Sequence, residues 1–382
     1  MWQERFWNRN ALVLHDGKEE SLMKHTFTRK DSQTMKGIGI LLMLLHHLFY
    51  SADSSHGLPV SFLFLSQKQV IAAARFCKIC VPVFVFVTAY GMAIKYRTCG
   101  QGRESWVRLT LRRYRLLMAP FLFVYVLAFA FCQIGGMRSY TQVYGKGIRS
   151  VCYMLADMLG LTYFTGTPTM NPTWWYMSVA VLLLFILPFL WMAVQKLDLF
   201  AVLILAGILF LAGGDVRNNQ ACLCILTASL GVWMEKRAVF GTWTEFCKRD
   251  ETKSYIKQSM GAFICLMFLL LLFLLKLRKG NAAWLLIYPG SAAAVAGLVC
   301  CFRMDGKIQK ILCFFGKYSM YMFLTHTFLK SYYLHDIIYG IGQAEIMYLL
   351  LVLLSAALAV LLSFLYEKTK TACSRLFRKQ KV

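Results

Sequence analysis

The sequence predicts an all-α protein, a polytopic membrane helix bundle of about ten transmembrane helices. Hydrophobic residues fill 58% of its 382 positions and charged residues only 16%, a balance far from that of a soluble domain. Apolar runs near the length needed to cross a bilayer recur along the chain. Lysine and arginine gather on alternate connections between those runs, as they do in membrane proteins.

The first 34 residues form a polar tail of mixed charge without the continuous apolar core of a signal peptide. Its Trp2, Phe6 and Trp7 suit a frayed or interfacial helix. Spans are expected at 35–51, 71–94, 116–134, 174–194, 198–213, 220–234, 259–275, 282–302, 311–334 and 345–366, making 35–366 one transmembrane domain. The stretch VCYMLADMLGLTYF, residues 151–164, is apolar but short and carries Asp157. It reads as an interfacial or re-entrant piece. Residues 367–382 are a basic tail.

A net charge of +24 would suit nucleic acid, but its distribution argues against such a partner. Roughly three quarters of the 42 lysines and arginines fall on one side of the expected spans, in the two tails and the even-numbered connections. That side is the cytoplasm, so both termini are expected there, with the chain in the cell membrane and attracted to anionic lipid. Cys132, Cys222, Cys224, Cys265, Cys300 and Cys301, among thirteen cysteines, fall in or beside apolar spans and read as small lipid-compatible residues. Cys77 and Cys80 form a single CxxC without a second pair or a suitably spaced histidine, so no metal site is expected.

Ionisable groups inside a span are costly and therefore invite a functional reading. In MKGIGILLMLLHHLFY, Lys36 and His47 are eleven residues apart, which at 100° per residue places them on one helical face about 16 Å apart. His46 lies about 80° off that face. In WVRLTLRRYRLLMAPF, Arg108, Arg112 and Arg115 form a stripe beside Arg113; it is either an ordinary positive-inside flank or a set of forks for a cytosolic anion. In NPTWWYMSV, Asn171, Pro172 and Thr173 form a turn and cap, and Trp174, Trp175 and Tyr176 suit an interfacial belt. In FFGKYSMYMFLTHTFL, Ser319 and His326 lie close to one face, and His326 is a second intramembrane histidine. His15, His25, His56 and His335 fall in tails, loops or a span end and are given no role.

Together these stretches resemble the acyltransferase 3 family of bacterial membrane proteins. The resemblance runs over roughly residues 31–366. It rests on a basic residue and a histidine in the first span (Lys36, His47), Thr88 and Gly91 in the second, an RxxR pair (Arg112, Arg115), a WY element (Trp175, Tyr176), and Gly316, Ser319 and His326 in a later span. Two departures stand out. Lysine replaces the usual arginine at position 36, which loses a bidentate fork, and the nearest preceding acid, Asp31, is five residues away.

The resemblance implies transfer of an acyl group, most often acetyl, from cytosolic acyl-coenzyme A to a hydroxyl of a cell-surface or lipid-linked carbohydrate. Acyl-CoA is then a donor substrate, and no cofactor is expected to stay bound. His47 would act as base and Lys36 would stabilise negative charge. Arg112 and Arg115 would hold donor phosphates. His46, Trp175, Tyr176, Ser319 and His326 are further candidates. A flippase or other transporter of a lipid-linked saccharide would use similar residues to line a path, and an inactive scaffold is a third reading. No similarity between the two halves favours the transporter.

Overall fold

The computed structural model describes residues 27–51, 57–98, 103–135, 137–214, 219–248, 251–302 and 306–379. The tail cluster Trp2, Phe6 and Trp7, and His15, His25 and His56, lie outside the described residues. The expected all-α class holds: the described residues are overwhelmingly helical and contain no strand, only an isolated bridge between Ser61 and Gln343.

Helix α1 is Arg29–Phe49. It begins within the expected tail because Thr28 and Asp31 build a capping box, each side chain bonding the other's backbone N–H. His46 and His47 accordingly lie in its last turn, nearer the helix end than the expected span implies. Helix α2 (Gln67–Phe76) passes through a 3-10 turn (Cys77–Ile79) into α3 (Cys80–Thr98). Helix α4 is Arg103–Gly135.

The connection to the next long helix folds into α5 (Tyr140–Tyr144), α6 (Ile148–Met158) and α7 (Thr162–Thr165). Thus residues 151–164 form short helices, with α6 only 11 residues long. Then come α8 (Trp175–Leu197), α9 (Leu199–Leu211), α10 (Gln220–Lys236), α11 (Val239–Lys248), α12 (Glu251–Lys279) and α13 (Trp284–Cys301). The chain closes with α14 (Lys307–Phe328), a π-turn (Leu329–Tyr333), α15 (His335–Tyr339) and α16 (Ala344–Lys379).

Five helical segments among the described residues are long and apolar enough to cross a membrane: Gln67–Thr98, Ser105–Gly135, Pro172–Leu197, Lys253–Cys301 and Ala344–Arg375. The expected count of ten is therefore not reached by that measure. Two physical reasons account for much of the difference. Lys253–Cys301 doubles back at Gly280, whose φ is +55, so that Gly261 meets Cys301 and Gly297 meets Cys265. Helix α9, expected at 198–213, has only 13 residues.

The tightest crossing joins α1 to α14. These helices run parallel in a register of 279 residues, the separation of Thr34 from its sulfur partner Cys313. Gly37 and Gly316 occupy the crossing in that same register. A Cβ on Gly37 would run into the backbone carbonyl of Leu312, and one on Gly316 into that of Gln33. Small residues thus let two backbones touch, the usual means of close helix approach in a membrane.

Polar networks tie down both ends of the bundle, a partly exposed one at Asp198 and a buried one at Asp157. Asp198, between α8 and α9, pairs with Lys236 at 2.9 Å and Arg237 at 2.7 Å and accepts from Trp233 Nε1 at 2.8 Å. At the other end Asp157 accepts from the Tyr144 hydroxyl (2.6 Å), the Met170 N–H (2.6 Å) and the Thr169 hydroxyl (2.8 Å). Burial pushes its carboxyl up from the ordinary carboxylate range, and those three donors pull it back. Arg138 clamps the same loop by donating to the Met170 and Thr169 carbonyls and to the Tyr332 hydroxyl. Asp157→Ala is expected to lower the thermal midpoint markedly, since each orphaned buried donor costs about 1–3 kcal/mol. Tyr144→Phe, which removes one donor to Asp157 and leaves the Tyr125 hydroxyl without its 2.7 Å partner, is expected to cost less because two donors to Asp157 remain.

Candidate functional site

The α1–α14 register decides what meets at the end of the crossing. Ten residues beyond each glycine stands a histidine, and the rings of His47 and His326 come to 5.0 Å between centroids. Ten residues are nearly three turns of helix, so a glycine contact at one level is repeated by side chains at the next. His46 joins them with its ring 4.9 Å from that of His47.

The three rings are held differently. A carbonyl oxygen only accepts, so the His46 Nδ1 donates to the Ala74 carbonyl of α2 at 2.8 Å. His326 is fully buried, and its Nδ1 donates to the Phe323 carbonyl at 2.8 Å. Its Nε2 faces the Thr327 hydroxyl at 3.2 Å, which contacts the Thr173 hydroxyl at 3.1 Å, which donates to Asn171 Oδ1 at 2.8 Å. His47 is half-buried, and neither of its ring nitrogens has a hydrogen-bond partner among the described residues. It alone of the three keeps both nitrogens available.

The turn before α8 is fastened to α14. Trp174 Nε1 donates to the Leu324 carbonyl at 3.1 Å, and Asn171 Nδ2 donates to the same oxygen at 3.4 Å. Trp175 and Tyr176 begin α8 half-buried, with the Tyr176 ring 6.4 Å from Phe84 and 5.8 Å from Phe323. Phe323 lies 6.5 Å from His326, so aromatic contacts join α3 and α8 to the histidines. Ser319 is buried and its hydroxyl bonds back to the Gly316 carbonyl at 3.0 Å, beside the crossing rather than the rings.

On α3, Phe84, Thr88, Gly91 and Lys95 keep partial exposure while most positions between them are buried. Their spacing makes one stripe. Helix α3 packs among α1, α8, α10 and α13, and no heavy atom lies within 4 Å of a Cβ built on Gly91.

Lys36 is half-buried near the start of α1, and Arg113 of α4 is near enough to repel it electrostatically. Arg112 and Arg115 are exposed on the other face of α4. Arg113, given no separate role from the sequence, is the member of the group that turns inward. The buried or half-buried positions Thr110, Tyr114, Leu117 and Phe121 mark that inner face by helical periodicity, and Arg113 belongs to it.

The fold and these groups define a multi-pass membrane protein with a cluster of three histidines at one end of the α1–α14 crossing and Lys36 near the start of α1. A family model described as an acyltransferase domain, that of the acyltransferase 3 family, matches residues 30–368. The chain belongs to that family and is a membrane acyltransferase. Neither the curated proteins nor the solved structures contain a match to it. Among the described residues no cluster of side chains is suited to hold a metal ion.

Proposed function

We propose that the protein moves an acyl group, acetyl in the simplest case, from cytosolic acyl-CoA to a hydroxyl of a cell-surface or lipid-linked carbohydrate. The observation that carries this reading is the His47–His326 contact, with an available imidazole on the same helix as Lys36. A sugar hydroxyl is a poor nucleophile near neutral pH and needs a base within reach. His47 takes the hydroxyl proton as the oxygen attacks the thioester carbonyl. The C–S bond then breaks, the new C–O ester bond remains, and the proton passes to the departing thiolate. His326 supports that exchange from the opposite helix, oriented by Phe323 and Thr327.

The donor's phosphates meet Lys36, Arg113, Arg112 and Arg115 at the cytoplasmic side, with both chain termini on that same side. The positive-inside distribution supports this orientation. Arginine forks suit phosphate oxygens, and Arg113 repels Lys36 electrostatically, so a bound anion relieves that repulsion. The test is acetyl-CoA binding and turnover by the purified protein, with mass spectrometry of cell-surface glycans from cells with and without it. A lost ester supports the reading, whereas unchanged glycans and no donor binding overturn it. Arg113→Gln is expected to weaken acetyl-CoA binding by about tenfold or more and Arg112→Gln by less, because a phosphate contact counts for more in the less hydrated place.

A further inference from the structure

Two lysines stand at the level of the histidines, and neither serves the reaction as described. Lys330 is buried, at 9% exposure, in the π-turn that interrupts the helical path after α14. It follows His326 by four residues. Lys78 is half-buried in the 3-10 turn between α2 and α3, four residues past Ala74, whose carbonyl anchors His46. Both lysines act electrostatically on His46 and His47, and Lys330 acts on His326 as well. The five groups therefore share one region.

Each lysine rests on a local irregularity in an otherwise continuous helical path. Such irregularities re-aim side chains and gather at functional sites. The aromatic neighbours are Tyr339, with the Lys330 ammonium 5.9 Å from its ring, and Trp284, with the Lys78 ammonium 5.8 Å from its ring. Neither lysine has an ion-pair partner among the described residues. Placing two ammonium groups in a shielded region without a carboxylate is costly, and an anionic ligand offsets that cost. Tyr50, three residues beyond His47, is exposed, which gives this region an edge at the bundle surface.

We propose that Lys78 and Lys330 form an anion site beside the histidine cluster, so that the acceptor carries a phosphate or a carboxylate beside the hydroxyl that receives the acyl group. This rests on the acyl-transfer reading and narrows it from carbohydrates in general to acidic ones. A neutral sugar would leave both cations unmatched.

The experiment measures binding apart from catalysis. Purified protein in nanodiscs of neutral lipid is titrated with dodecyl phosphate, dodecyl glucuronide and the neutral dodecyl glucoside, and affinity is read from thermal stabilisation. Wild type is expected to bind one or both anionic probes at least about tenfold more tightly than the glucoside, with that preference lost in Lys330→Gln and Lys78→Gln. The arginine variants Lys330→Arg and Lys78→Arg should keep it. Lys317→Gln, at an exposed position midway along α14, controls for general attraction to a cationic protein. The better anionic probe tells phosphate from carboxylate. Equal affinity for the glucoside, or an anion preference that survives both glutamine variants, overturns the proposal. An anion preference that depends on the lysines in a protein that makes no ester from acetyl-CoA would leave this site standing and remove the acyl-transfer reading.

Discussion

Replacing His47 with alanine is expected to lower ester formation by 10²- to 10⁴-fold, the usual loss when an aligned general base is removed. Replacing His46 should leave most of the activity. The two residues are neighbours, yet their surroundings differ. His46 is tethered through Nδ1 to the Ala74 carbonyl, whereas His47 faces His326 and has no hydrogen-bond partner among the described residues. His326→Ala should approach the loss seen for His47→Ala, and the double variant should lose little more, because groups that act as a unit are not additive. Initial rates with acetyl-CoA, on variants shown to insert at equal levels, provide the check. An active His47→Ala beside an inactive His46→Ala would transfer the base's role to His46. Full activity in both would favour a transport path.

The second large effect is expected at the helix crossing. Gly316→Ala places a methyl against the Gln33 backbone, and Gly37→Ala does the same against Leu312. A backbone carbonyl cannot rotate away as a flexible side chain can, so the helices must separate. Overpacking commonly costs 1–3 kcal/mol, and here the upper end, about 3 kcal/mol for each substitution, is expected. Thermal unfolding in detergent measures it, with Gly91→Ala as the control because its Cβ would enter open space. Variants that still fold should also lose catalytic rate, since the crossing sets the separation of His47 and His326. A Gly316→Ala protein as stable as Gly91→Ala would mean that this crossing is looser than its glycines imply.

Some of this architecture was legible in the residues. Helical phase alone put Lys36 and His47 on one face, and apolar runs announced the bundle. The equal spacings from Gly37 to His47 and from Gly316 to His326 were also present, but two helices paired 279 residues apart share a register that only tertiary packing reveals. Arg113 was recoverable from the periodicity of α4, which turns inward at Thr110, Tyr114, Leu117 and Phe121, whereas the Arg108, Arg112, Arg115 stripe lies on the outer face. Lys330 was not recoverable, because a π-turn changes the residues per turn on which every phase argument depends. Nor was the Asp157 network, whose donors Tyr144, on α5, and Thr169 and Met170, on the loop after α7, are brought together by folding. The expected number of spans exceeded the observed long apolar segments because runs such as 198–213 fold into helices too short to qualify.

The pairing of α1 with α14 also fixes a timetable. A ribosome adding about 5–20 residues per second makes His326 roughly a quarter of a minute to a minute after His47. During that interval the first helix is already made while the partner for its glycine does not yet exist, so Lys36 and the two histidines face lipid, water or a chaperone instead of each other's final neighbours. A nascent chain therefore lacks the His47–His326 contact, and so does a fragment that ends before α14. On the proposed mechanism, transfer starts only once α14 has been made and has packed against α1.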